Sequence, residues 1–86
     1  MTDYLDFDDV TVGSVVFVEK NQILNKYSWK EPRVDLIAGD IFLVTFISGR
    51  PRRATLRNLQ RGYVVDVRVD ELLALNDDYF VTIGPL

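Results

Sequence analysis

Apolar residues cluster along this chain in short runs of four to eight, and the spacing within each run predicts strands. Ser14-Val-Val-Phe-Val-Glu-Lys20 is apolar at consecutive positions and rich in β-branched residues, the pattern of a central strand covered on both faces. Ile41-Phe-Leu-Val-Thr-Phe-Ile47 is equally dense. A regular strand there puts Phe42, Val44 and Phe46 on one face and Ile41, Leu43, Thr45 and Ile47 on the other. Arg53-Ala-Thr-Leu-Arg57 alternates, with Ala54 and Leu56 inward and Arg53, Thr55 and Arg57 outward. Tyr63 to Val69 alternates again: Tyr63, Val65, Val67 and Val69 face in, Asp66 and Arg68 face out. Tyr79-Phe-Val-Thr-Ile83 forms the last strand. Turns fall at Gly39-Asp40, Ser48-Gly-Arg-Pro51, Asn58 to Gly62 and Asn76-Asp-Asp78. Asp70 is placed to cap a helical turn over Glu71-Leu-Leu-Ala-Leu75, short enough to be α or 3₁₀. Residues 21–35 are mixed: Ile23 and Leu24 begin a return strand, and Tyr27 and Trp29 lie in a polar loop.

Two segments echo each other. Asp9-Val-Thr-Val-Gly-Ser-Val-Val-Phe-Val18 and Asp35-Leu-Ile-Ala-Gly-Asp-Ile-Phe-Leu-Val44 both read as an apolar lead-in, a glycine turn and an apolar strand. Two copies of a common β pattern are explained by local physics without a repeat architecture, which needs three or more units.

Five short strands separated by turns indicate a mostly β fold, a small five-stranded barrel or two packed sheets with one short helical turn near residues 70–75. The order resembles an SH3-like small β-barrel over residues 12–83. Leu36-Ile-Ala-Gly-Asp-Ile-Phe-Leu-Val44 is similar to the diverging turn and second strand of that fold, residues 19–35 to its long first loop, and Val69 to Leu75 to the helical turn before its last strand. Peptide-binding SH3 domains resemble one another in an aromatic groove that includes a tryptophan opening the third strand. This chain has Arg52-Arg53 there, so the resemblance extends to the fold and not to proline-peptide binding. Fold alone names no function. Residues 1–11, with Asp3, Asp6, Asp8 and Asp9 among Tyr4, Leu5 and Phe7, read as an acidic N-terminal arm, and residues 12–86 as a single SH3-like β domain.

Composition narrows the chemistry. The 86 residues are 48% apolar with a net charge of −3, which suits a small globular domain and not a disordered chain. There is no histidine and no cysteine, so the commonest base, metal ligand and thiol nucleophile are missing. Ser14, Ser28 and Ser48 have no base partner in sequence. The acidic pairs lack the spacing of a calcium loop, and the five glycines are too scattered to cradle phosphate. The expectation is a non-catalytic chain with no cofactor and no metal. No apolar run approaches the length of a membrane span, and Met-Thr-Asp-Tyr-Leu-Asp at the start is no secretory signal. A cytoplasmic protein without membrane contact is expected.

One stretch stands apart. Gly49-Arg-Pro-Arg-Arg-Ala-Thr-Leu-Arg-Asn-Leu-Gln-Arg61 contains Arg50, Arg52, Arg53, Arg57 and Arg61 and no acid. Arginine is a planar fork of donors suited to carboxylates and phosphates. Three readings compete for this island. It balances acids of its own chain, from the N-terminal arm, Asp66 or the Asp77-Asp78 turn. It docks an acidic protein surface, with Tyr27 and Trp29 as apolar anchors and self-association as the simplest version. Or it binds the phosphates of a nucleic acid, against an overall acidic balance of thirteen carboxylates to ten cations. Trp29 has its own alternatives, an interface anchor or a cap on one end of the barrel. The sequence favours protein docking and a regulatory role, with nucleic acid as the alternative.

Overall fold

The computed structural model describes residues 5–85. Seven strands and one helix follow in order: β1 Ser14–Val18, β2 Gln22–Leu24, β3 Val34–Leu36, β4 Ile41–Ser48, β5 Arg53–Asn58, β6 Val64–Arg68, α1 Val69–Asp77 and β7 Val81–Pro85. The fold is mostly β, as the alternation implies. Five strands pair antiparallel in the order β6-β5-β4-β1-β7, and β2 and β3 form a separate two-stranded sheet. The five-stranded sheet is open, with β6 and β7 as its edges, so of the two expected architectures the closed barrel is not formed, and the strands divide into two sheets. Helix α1 occupies the connection between those edges and packs against both of them. Residues 19–36 hold the β2–β3 hairpin: the return strand expected at Ile23 and Leu24 is β2, and the mixed residues that follow it leave its partner β3, Val34-Asp-Leu36, unmarked in the sequence.

The inner face of the large sheet carries Val16, Val18, Phe42, Val44, Leu56 and Val67, all fully buried. They form one core with Leu72 and Leu75 of α1, Leu24, Val34 and Leu36 of the hairpin, and Val10 of the N-terminal segment. Val10 is completely inaccessible, so the acidic arm enters the fold through its last apolar residue. Asp3 lies outside the described residues.

Four local expectations change. The helical turn is a nine-residue α-helix that starts directly after β6 and runs through Asn76 and Asp77. Its apolar stripe Val69, Leu72 and Leu75 seats it on the core, and this burial outweighs the poor helix propensity of Asn and Asp. Asp70 does not cap it. Arg68 occupies the cap position without a side-chain cap bond, and Asp70 stands in the first turn, held by Arg68 Nε at 3.0 Å and Nη2 at 2.5 Å. Strand β4 is not regular. A bulge between Val44 and Phe46 leaves Thr45 as the extra residue, so Val44 pairs with Leu56 and Phe46 with Thr55. The parity change turns Phe46 out, 59% exposed, and brings Ile47 in against the core. Tyr63 stays at the rim, with its ring edge-on to Phe42 at 5.9 Å between centroids, instead of turning fully inward.

The two echoing segments pair with each other. β1 and β4 run antiparallel through Val16 and Phe42. The amide of Gly13 donates to the carbonyl of Val44 and the amide of Gly39 to that of Val18, both at 2.8 Å. The two halves are related by a local two-fold pattern. Both glycines have φ near +95° (+97° and +95°), and a Cβ at either would meet no atom within 4 Å. Backbone conformation, not crowding, is what requires glycine there.

Candidate docking face around Arg57

The structure divides the arginine island in two. Arg52, at the start of the β5 hairpin arm, reaches back over the N-terminal segment. Its Nη1 donates to the Phe7 carbonyl at 2.6 Å and to Asp8 Oδ1 at 3.3 Å, and its Nη2 to the Val10 carbonyl at 3.4 Å. The Asp8 carboxylate is almost fully exposed, so the bonds to the two carbonyls carry most of this strap. Arg53 forms an ion pair with Glu31 and so ties β5 to the β2–β3 loop. Internal charge balance therefore accounts for Arg52 and Arg53. The acids that provide it are Asp8 and Glu31; Asp66 and the Asp77-Asp78 turn take no part among the described residues. Asp66 accepts instead from the Thr55 hydroxyl at 2.6 Å.

Arg50, Arg57 and Arg61 are exposed, and among the described residues they form no ion pair. Arg57 has the most structured setting. Antiparallel register places Val15 of β1 opposite Leu43 of β4, Leu43 opposite Arg57 of β5, and Arg57 opposite Val64 of β6. Residues directly opposite share one face, so this row crosses four strands on the outer side of the sheet. Flanking rows add Phe17 beside Ile41 and Phe46 beside Thr55. Phe46 and Val64 are 59% and 60% exposed, and Phe17 is 37% exposed. The result is an arginine framed by apolar side chains on a face that nothing in the described chain covers. The bulge at Thr45 contributes directly, because a regular β4 would have buried Phe46.

Arg61 is held by a residue that the sequence reading passed over. Asn58 ends β5 with no exposed surface. Its Oδ1 accepts from the amides of Gln60 at 3.0 Å and Arg61 at 2.8 Å, its Nδ2 donates to the Tyr63 hydroxyl at 3.3 Å, and its backbone bonds Tyr63 and Gly62. The turn seen in the sequence as Asn58 to Gly62 is thus organised on one buried amide. The signal for it is an asparagine two and three residues ahead of amides left free by a turn.

Tyr27 and Trp29 sit on the β2–β3 loop, 89% and 88% exposed. Lys26 lies over the Tyr27 ring at 4.8 Å and Lys30 over the Trp29 ring at 5.1 Å. Trp29 does not cap the core. Neither ring belongs to the Arg57 row. The same loop does approach the β6 edge: Lys30, Arg33 and Val34 line a groove of about 570 Å³ together with Arg53, Val64 and Asp66.

The N-terminal acids also bond the turn they stand in: the Asp6 amide donates to Asp9 Oδ2 at 2.8 Å and the Asp8 amide to Asp6 Oδ1 at 2.9 Å. Among the described residues no three acids gather as a metal site would require, and no helix is long and apolar enough to cross a membrane. Comparison with known proteins finds no matching family model, no similar curated protein and no similar solved structure.

Proposed function

We propose that this chain is a non-catalytic binding or regulatory module that docks an acidic protein surface through the outer sheet face centred on Arg57, with Arg50 and Arg61 at its margins. The observation that carries this reading is the row Leu43–Arg57–Val64. An arginine surrounded by apolar side chains is shielded from water once a partner covers it, and its bond to a carboxylate then counts for far more than at an open surface. The element order, with a hairpin after β1 and a helix between β6 and β7, supports the SH3-like reading of the fold. The lack of histidine and cysteine supports a non-catalytic role, and a cytoplasmic setting goes with both.

A nucleic-acid reading has one observation in its favour: Tyr27 and Trp29 are exposed, each beside a lysine, as base-stacking residues are. It fits the Arg57 face less well, because Phe46, Val64 and Leu43 offer phosphates nothing. One experiment separates the two. The chain is immobilised and used to capture partners from cell lysate with and without nuclease, beside an Arg50→Ala/Arg57→Ala/Arg61→Ala variant. A discrete protein that survives nuclease and is lost with the triple variant is the expected result. Material that vanishes with nuclease would transfer the arginines to phosphate binding.

A further inference from the structure

The β5–β6 ladder fixes which backbone groups of the β6 edge are free. The Asn58 amide donates to the Tyr63 carbonyl at 2.8 Å and the Val69 amide to the Arg52 carbonyl at 3.0 Å. In an antiparallel ladder this pattern repeats every second residue, so Val65 and Val67 also point their amides and carbonyls at β5. The amides and carbonyls of Val64 and Asp66 point the other way, and no described strand pairs with that side. No proline, glycine or lysine blunts the strand Val64-Val-Asp-Val-Arg68.

The space beside this edge is shaped and charged. It is the groove of about 570 Å³ whose far wall is Lys30 to Val34. Lys30, Arg33 and Arg53 line it against two carboxylates, Glu31 and Asp66; Arg53 is paired with Glu31 and Arg33 with Asp35 at 3.0 Å, Asp66 accepts from the Thr55 hydroxyl, and Lys30 is the lining cation in no ion pair among the described residues. This cationic lining belongs to a chain of net charge −3. In the register centred on Asp66, antiparallel pairing of β6 with a second copy sets Asp66 directly against Asp66, a like-charge pair that destabilises a ladder.

We propose that β6 accepts an extended acidic segment of the partner protein as a further strand of the sheet. Backbone pairing runs through Val64 and Asp66, an apolar side chain of the segment lies over Val64, and the alternating carboxylates lie toward the Lys30 wall of the groove. The acidic character of the segment rests on the docking function proposed above. The strand addition rests on the free edge alone.

The test uses a capped ten-residue peptide alternating valine with glutamate, titrated into the ¹⁵N-labelled chain. Three further reagents accompany it: the same peptide N-methylated at every second residue, a version with lysine in place of glutamate, and a Val64→Pro variant of the chain. Proline at residue 64 removes an amide that β5 does not use, so the β5–β6 ladder survives. The expected result is slowed hydrogen exchange at Val64 and Asp66 with the glutamate peptide. The N-methylated peptide or the proline variant should bind about tenfold more weakly, the equivalent of one or two net hydrogen bonds. No protection at those amides, equal binding of the N-methylated peptide, or dimerisation of the free chain through β6 would each overturn the proposal. Equal binding of the lysine peptide would overturn the acidic assignment and leave strand addition standing. Should the proline variant fold poorly, the N-methylated peptide still decides the matter on the unaltered chain.

Discussion

Asn58 and Trp29 are opposite cases at the scale of single residues. Asn58 is a buried amide with all its polar capacity directed at one turn. Replacing it by alanine leaves the Gln60 and Arg61 amides without their acceptor and opens a small void. A loss of about 1–3 kcal/mol is expected in denaturant unfolding. Trp29 is the largest side chain in the chain and lies outside the core. Trp29→Ala should change unfolding free energy by no more than about 0.5 kcal/mol, because an exposed ring over one lysine has little to lose. A large loss would mean that the ring is buried in solution. The sequence showed Trp29 as a loop residue with two possible roles, since pattern cannot tell which way a loop side chain turns. It gave no hint that Asn58 is buried, because asparagine in a turn is usually solvated. The partners of Arg52 and Arg53 were equally hidden. Phe7 and Val10 lie 45 and 42 residues from Arg52, and Glu31 lies 22 residues from Arg53, and only the folded topology brings them together.

Strand β4 shows what periodicity can and cannot carry at the scale of an element. Its existence, its type and the facing of its first four residues were legible from Ile41, Phe42, Leu43 and Val44, because a two-residue alternation survives any sheet context. The bulge was not legible. Thr45 is an ordinary β residue, and the extra residue exists only relative to its partner strand β5. The native absence of cysteine makes the consequence directly testable. In single-cysteine variants, Phe46→Cys should react with a thiol reagent at the rate of an exposed thiol, and Val44→Cys only through opening of the fold. Comparable protection at both positions would restore the regular strand and remove Phe46 from the docking face. Helix α1 teaches the complementary lesson. A helical turn was visible in Glu71 to Leu75, but its start at Val69 and its length were set by docking between β6 and β7, which outweighed the turn signal of Asn76-Asp77.

The whole molecule separates arginines that stabilise the chain from arginines that face outward. A cluster that looks uniform in sequence is split by the hairpin twist and the β2–β3 loop: Arg52 and Arg53 turn to their own chain, and Arg57 stands on an uncovered apolar face. The most direct test compares two variants in capture and in thermal unfolding. Arg57→Glu should abolish recovery of the nuclease-resistant partner and leave the melting temperature within about 2 °C of the unaltered chain, as for an exposed surface change. Arg52→Ala should retain the partner and cost about 1 kcal/mol of stability through its lost carbonyl bonds. If Arg52→Ala loses the partner while Arg57→Glu keeps it, the docking face has been placed on the wrong arginine and the account fails.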